Sequence, residues 1–210
     1  MFGTQDILLF IFSALLLNIT PGPDTLYIVS RSSTQGFKAG VIAALGISAG
    51  IMLHLTAAAL GLSAILAASA SAFTVLKFVG AAYLVYVGIS LMRSRGVTVN
   101  AAASPAERAM LRTIFVQGFW TNVLNPKVAL FFLAFLPQFV DATAAGRVLP
   151  FLFLGLLFNI NGTLWNLLVA WSCARVGNVL MVNRVASAWF NRCVGAVFVY
   201  LGARLALVNE

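Results

Sequence analysis

The sequence predicts an all-α membrane protein of six transmembrane helices, arranged as two inverted three-helix repeats. Apolar residues make up 61% of the 210-residue chain and charged residues only 9%, whereas soluble domains carry about 25% charged residues. The length suits one membrane domain over residues 1–210 without a separate soluble domain. Crossing a bilayer takes about 20 apolar residues. Six runs approach or exceed that length, at residues 6–30, 39–66, 72–92, 113–136, 148–172 and 189–208.

One long polar connector, residues 93–112, divides the chain into a first repeat over about 1–92 and a second over about 113–210. Two features occur in both halves in the same order. The segment Val79–Gly88 returns as the similar Val194–Gly202, and a proline followed by a charged residue interrupts the first and fourth runs. With three spans per half, the second copy enters the membrane from the opposite face. Inverted repeats of this kind support alternating access.

The basic residues predict the orientation in the membrane. Lys and Arg stay on the cytoplasmic side of inner-membrane proteins, so residues 93–112 are expected in the cytoplasm and both termini outside. The chain has a net charge of +8, and its basic residues lie at the ends of apolar runs. This position indicates contact with anionic lipid and not with nucleic acid. Nine basic residues fall on one side (Arg31, Lys38, Arg93, Arg95, Arg108, Arg112, Arg175, Arg184, Arg192) and three on the other (Lys77, Arg147, Arg204).

The sequence favours neither an enzyme nor a metalloprotein. Cys173 and Cys193 have no metal-binding spacing, and the one histidine, His54, excludes a multi-histidine metal or haem site. No deep Ser–His–Asp set or carboxylate pair is evident. We therefore expect no catalytic residue, no metal and no cofactor.

Prolines interrupt two of the apolar runs. Pro21 and Pro23 remove two backbone donors, and Gly22 between them tolerates almost any dihedral angle. The first run should therefore unwind near its middle, and the fourth should do so less severely at Pro126. Unwound backbone at membrane depth must face protein or water, which predicts an inward polar cavity; a purely structural kink is the alternative. Polar residues beside the breaks can satisfy the freed groups or bind cargo: Asn18, Thr20, Asn122 and Asn125.

Each break carries one charged residue, Asp24 in the first run and Lys127 in the fourth. A lone charge at mid-membrane costs roughly 2.5–3.5 kcal/mol and usually has a function. Three interpretations remain open. The two residues form a fixed ion pair, they separate to hold a zwitterion with Asp24 on its ammonium and Lys127 on its carboxylate, or Asp24 carries protons.

Polar residues in two other runs are further candidates for the site. His54 in the second run is either satisfied by a carbonyl or part of a proton relay, since histidine titrates near neutral pH. Asn159 and Asn166 lie seven residues apart, hence on one helix face, whereas Asn161 points elsewhere. Such amides either join helices or line a pore. In the second case Asn159, Trp165 and Asn166 would contact the cargo side chain.

Small residues follow a regular spacing along the second run. Gly36, Gly40 and Ala44 are four apart, as are Gly46 and Gly50. This spacing permits close helix contact, either within the chain or between two copies of it in a homodimer.

These motifs together resemble those of the LysE/RhtB family of bacterial amino-acid exporters. The segments Pro21–Thr25 and Gly36–Gly40 match the family's first and second spans. Gly80–Leu84 with Gly88 matches its third span, and Gly118–Lys127 matches its fourth. The resemblance implies a six-span inner-membrane carrier that expels amino acids or close derivatives, driven by the proton gradient. It places weight on Pro21, Gly22, Pro23, Asp24, Asn125, Pro126 and Lys127.

The buried charges favour a neutral cargo. Of the five acidic residues, only Asp24 lies deep in a run. One acid and one base suit a neutral amino acid or a homoserine-like compound, whereas a dibasic amino acid would need a second acceptor or several carbonyls. Export of basic amino acids or of a cation stays as the alternative. A membrane assembly protein without transport is a weaker alternative, since it would not need two broken spans with buried charges.

Overall fold

The computed structural model describes residues 3–62, 70–93, 110–141, 146, 148–176 and 184–207. The described chain is helical, and its one β-type contact is an isolated bridge between Thr4 and Val140. The α-helices are α1 (Ile7–Ile19), α2 (Pro23–Gln35), α3 (Phe37–Ala57), α4 (Ala70–Arg93), α5 (Leu111–Val123), α6 (Pro126–Leu130), α7 (Val148–Val176) and α8 (Arg184–Leu207). A π-helical turn, Ala58–Leu62, continues α3, and a π-helical turn Phe131–Phe135 with a 3-10 turn Leu136–Phe139 continues α6.

Both predicted breaks are present. Helices α1 and α2 form one apolar pair bent by 54°, and α5 with the helix that begins at Pro126 forms another, bent by 47°. The smaller bend lies at the single proline, as expected. The first helical segment extends further than its apolar run, because α2 continues through Arg31 to Gln35 and ends before Gly36, where φ is 82°. Hydropathy located the apolar part of this helix but not its polar last turn.

Up to four membrane-crossing units can be recognised in the described residues. Two are the long apolar helices Phe37–Gly61 and Val148–Arg175, and two are the bent pairs. Helices α4 and α8, each of 24 residues, measure about 36 Å at 1.5 Å per residue and pack against each other. Because the units recognised in the described residues number four at most, six spans remain a prediction.

Helices α3 and α7 form the centre of the bundle, and α1, α2 and α5 pack around them. Small residues of α3 permit the close approach. A Cβ on Gly50 would lie 2.8 Å from the Asn122 side chain, Gly46 packs on the backbone at Phe115, and Gly40 packs on Ser32. The close contacts at these three glycines are thus made inside one chain.

The two bent pairs run in opposite directions. At the bridge end, the chain before α1 meets the chain after the 3-10 turn: Gln5 N–H donates to Phe139 O at 2.9 Å, beside the Thr4–Val140 bridge. At the tyrosine end, the Tyr27 hydroxyl in α2 donates to Ile114 O in α5 at 2.9 Å. The start of the first pair thus lies beside the end of the second. An inverted repeat requires this antiparallel relation.

Candidate functional site between the two helix breaks

The break between α1 and α2 attracts a cation because Pro21 frees a carbonyl. In a continuous helix, Leu17 O would accept from the N–H four residues later, but that residue is Pro21, which has none. The Lys127 ammonium takes the vacant acceptor, donating to Leu17 O at 3.1 Å and to Thr20 O at 3.0 Å. These carbonyls lie at the negative end of the α1 dipole, which favours positive charge.

The break between α5 and α6 follows the same rule. Pro126 leaves Asn122 O without its helical donor. Asn122 O instead accepts from Asn125 N–H at 2.9 Å and lies 3.2 Å from His54 Nε2. The carbonyl contact expected as one alternative for His54 is therefore present, and its partner is the backbone of the fourth-span break.

Two side-chain amides of this second break hold Asp24. The Asp24 Oδ2 atom accepts from Asn122 Nδ2 at 2.8 Å and from Asn125 Nδ2 at 3.0 Å. Asn125 also caps α6, because its Oδ1 accepts from Lys127 N–H at 3.1 Å. Asp24 itself lies in the first turn of α2, where the helix dipole stabilises a carboxylate.

Each charged residue is thus bound by the break in the opposite half, and their hydrogen bonds do not join the two charges directly. The hydrogen bonds therefore do not support a fixed, directly bonded Asp24–Lys127 pair. Both charged groups can form further hydrogen bonds. Asp24 Oδ1 is buried with no hydrogen-bond partner in the described chain, and an ammonium has three N–H groups, of which Lys127 uses two on carbonyls.

A cavity of about 20 Å³ lies between the breaks. This volume holds about one water molecule, so an amino acid could enter only if the walls moved apart. Four predicted residues line the cavity, namely Asn18, Asp24, Lys127 and Asn166. Six lining residues were not predicted: Leu17, Thr25, Ile47, Ile51, Val128 and Phe158.

The remaining candidates lie around the cavity without lining it. The Thr20 hydroxyl donates to Leu16 O in its own helix at 2.7 Å. Asn159 joins α7 to α3, since its Oδ1 accepts from the Ser48 hydroxyl at 3.0 Å. Trp165 packs against the core, and its Nε1 is buried without a partner in the described chain. Gly22 leaves room for the Lys127 ammonium, which would lie 3.2 Å from a Cβ added there.

One signal could have located Leu17 in advance: it lies four residues before a proline, so its carbonyl must lack a helical donor. The same rule picks out Asn122 before Pro126. Nothing comparable marks the apolar wall. Ile47, Ile51 and Phe158 are aliphatic or aromatic residues in apolar helices, and only the packing of α3 against α7 places them at the cavity.

The site thus consists of two broken, antiparallel apolar helix pairs, each of which binds the partly buried charged residue of the other. Discontinuous helices of this kind are typical of membrane carriers. The family model for the LysE type translocator matches residues 15–209. The chain therefore belongs to the LysE type translocator family.

The relatives extend over the whole chain. An uncharacterized membrane protein of Pseudomonas aeruginosa is 30% identical over 207 residues, covering 97% of this chain and 96% of its own length. The uncharacterized membrane protein YrhP of Bacillus subtilis is 30% identical over 213 residues, covering 97% and 99%. The leucine efflux protein of an Enterobacter strain is 28% identical over 209 residues, covering 99% and 98%. No solved structure matches the chain.

Proposed function

We propose that this chain is a secondary exporter of neutral amino acids or homoserine-like derivatives, which works by alternating access and is driven by the proton gradient. The observation that carries the proposal is the unused bonding capacity at the cavity. A carboxylate oxygen without a partner and an ammonium with a spare N–H belong to residues that line one small space. The similarity to leucine efflux proteins supports the same conclusion.

A zwitterion complements this pair of charges. Its ammonium binds Asp24 Oδ1, and its carboxylate binds the remaining Lys127 N–H. Each contact is a charge-assisted hydrogen bond, which is roughly twice as strong as a neutral one. The cargo thereby compensates both charges, which lowers the electrostatic cost of holding them and the zwitterion in the low-dielectric bundle.

The apolar part of the lining suits a neutral side chain, and Asn18, Thr25 and Asn166 are the uncharged polar residues beside it. Ile47, Ile51, Val128 and Phe158 face the cavity, and they supply no acceptor for a second positive charge. The carbonyls that the breaks set free could in principle bind a cation, but Leu17 O and Thr20 O already accept from Lys127. These features favour leucine-like cargo over arginine, lysine or a metal cation.

Alternating access uses two closures, one at each end of the cavity. At the bridge end, the Thr4–Val140 bridge lies next to an aromatic cluster in which Phe139 contacts Phe10 with ring centroids 5.2 Å apart. At the tyrosine end, Arg31 Nη2 donates to Gln117 Oε1 at 2.8 Å. We propose that these closures open in turn within a six-span inner-membrane protein whose termini both lie outside.

Proton coupling would act at Asp24. A proton and the cargo ammonium compete for the same carboxylate, so protonation on one side of the membrane releases the cargo. His54 lies near this carboxylate through Asn122, whose side chain bonds Asp24 and whose backbone oxygen contacts the imidazole. If His54 relays the proton, export by His54→Gln loses its pH dependence. An unchanged pH profile would remove His54 from the relay.

Purified protein in lipid vesicles tests the proposal directly. Counterflow of labelled leucine or threonine is expected, and it should be abolished in Asp24→Asn and Lys127→Ala. Asn161→Ala is a matched control, because Asn161 lies outside the cavity on α7. Wild-type rates in folded Asp24→Asn or Lys127→Ala would refute the site. Movement of arginine alone would overturn the neutral cargo.

A further inference from the structure

The side-chain amide of Asn18 is an unused donor at the cavity. Asn18 is the second-last residue of α1 and lines the cavity. Its Nδ2 is buried and has no hydrogen-bond partner within the described residues. Buried polar groups normally have a partner, and an unsatisfied donor is costly. An unused donor beside a site with spare charge capacity indicates an acceptor that arrives with the cargo.

Gly162 of α7 leaves room for the Asn18 amide, because it has no side chain. A Cβ added at Gly162 would lie 3.0 Å from Asn18 Oδ1 and 3.2 Å from its Nδ2. These separations are tighter than ordinary van der Waals contact, so a Cβ at 162 would push the amide by a few tenths of an ångström. Gly22 makes the same kind of space for the Lys127 ammonium, at 3.2 Å. Gly162 in α7 and Gly22 in the first break therefore each leave room for one donor in the cavity region.

We propose that the Asn18 amide and the Lys127 ammonium together bind the carboxylate of the cargo, and that Gly162 positions the amide. This inference rests on the proposed function and assigns the carboxylate end of its site. Lys127 has one N–H left, whereas a carboxylate offers two oxygens with about four lone-pair positions. Asn18 supplies the second donor. It follows Leu17, whose carbonyl holds the ammonium, so both donors lie at the same end of α1.

If the Asn18 amide and the Lys127 ammonium bind the cargo carboxylate, the protein should bind leucine more tightly than the corresponding alcohol, leucinol. Leucinol keeps the ammonium and the side chain of leucine but lacks the carboxylate. In wild-type vesicles, leucine should compete with labelled leucine far better than leucinol does. Asn18→Ala should raise the KM for leucine about tenfold or more, as expected for a lost hydrogen bond to a charged group. The maximal rate should change less, and the weak competition by leucinol should not change. An unchanged leucine-to-leucinol ratio in Asn18→Ala would overturn the inference.

Gly162→Ala tests the positioning role. Alanine favours the helix more than glycine, so any defect should come from the displaced amide. The variant should raise the KM for leucine in the same direction as Asn18→Ala, and the double variant should be no worse than Asn18→Ala alone. Gly61→Ala is the control, because a Cβ there meets nothing within 4 Å. Additive effects of the two substitutions would show that Gly162 does not act through Asn18.

A binding assay that does not depend on transport can test this inference separately from the proposed function. If the wild-type protein moves no neutral amino acid, the exporter proposal fails. Thermal stabilisation of the purified protein by leucine but not by leucinol, lost in Asn18→Ala, would still support the carboxylate site. Absence of stabilisation by leucine, threonine and homoserine alike would overturn it.

Discussion

The two helix breaks use the same proline chemistry but offer opposite partners. The first, at residues 20–22, presents main-chain carbonyls, and these bind the Lys127 ammonium. The second, at residues 124–125, is flanked by the side-chain amide of Asn122 at the end of α5 and includes that of Asn125, and both amides bind the Asp24 carboxylate. Each break thus supplies the hydrogen-bonding groups that the charge from the other half requires. The two charged groups can therefore stay apart, and each keeps a hydrogen-bonding position that can be used at the cavity.

This difference determines how each break responds to mutation. Substitutions at the second break remove the groups that hold Asp24, because those groups are side chains. At the first break, a substitution of Thr20 or Pro21 leaves the carbonyls in place and affects Lys127 only through the backbone. We therefore expect larger effects at the second break than at the first.

Among substitutions of the uncharged residues at the two breaks, the largest effect is expected for Asn122→Asp. Asn122 is 0% exposed, and its Nδ2 lies 2.8 Å from Asp24 Oδ2. The variant loses this donor and places a second carboxylate beside the first, where both cannot stay ionised. A loss of about 3 kcal/mol, or roughly 100-fold in leucine counterflow, follows. The readouts are counterflow and the thermal unfolding of the purified protein.

The matched control exchanges the two groups. Asp24→Asn combined with Asn122→Asp restores one acid and one amide, so the unfolding temperature should recover. Export should stay low, because the acid now belongs to the fully buried position in α5. Recovery of export to the wild-type rate would show that the side of the cavity that carries the acid does not matter.

Asn125 permits two roles to be separated. Asn125→Ala loses both the bond to Asp24 and the cap of α6, whereas Asn125→Ser keeps a capping hydroxyl but is too short to reach the carboxylate. Both variants should lose export to a similar extent. The alanine variant should unfold at a lower temperature, by the equivalent of about 1 kcal/mol. Equal stability of the two variants would argue against the capping role.

The charged residues and prolines of the site could be predicted from the sequence because each is costly in an apolar helix. Asp24, Lys127, Pro21 and Pro126 stand out against their neighbours, and the bends occur where the prolines predict them. The family could also be predicted, since its motifs include these same residues. What the sequence left open was which groups each charge would bind.

The rest of the site depends on packing between helices, which a single sequence does not encode locally. Asn159 and Asn166 share one face of α7, yet Asn159 bonds Ser48 whereas Asn166 lines the cavity. Their spacing could not distinguish these outcomes. Gly162 likewise resembles any small residue of an apolar helix, and only the position of α1 brings Asn18 against it.

A moderate effect is expected for Pro21→Ala at the first break. Alanine restores an N–H that competes with Lys127 for Leu17 O, so this carbonyl holds the ammonium less firmly. Complete loss of one charged hydrogen bond would correspond to roughly tenfold in export, which is the upper limit of the expected effect. Pro23→Ala should have a smaller effect, because the carbonyl that it would reclaim, Ile19 O, is not an acceptor of Lys127. An equal or larger loss in Pro23→Ala would contradict the assignment of Leu17 O.

The smallest effect is expected for Thr20→Val, although Thr20 is 1% exposed and lies within the break. Lys127 bonds the Thr20 carbonyl, which valine retains, and the hydroxyl bonds Leu16 O in its own helix at 2.7 Å. Removing it should cost about 1 kcal/mol of stability and leave the KM for leucine nearly unchanged. A loss of export as large as that in Asn122→Asp would mean that the hydroxyl contacts the cargo, and the contrast between a main-chain break and a side-chain break would then fail.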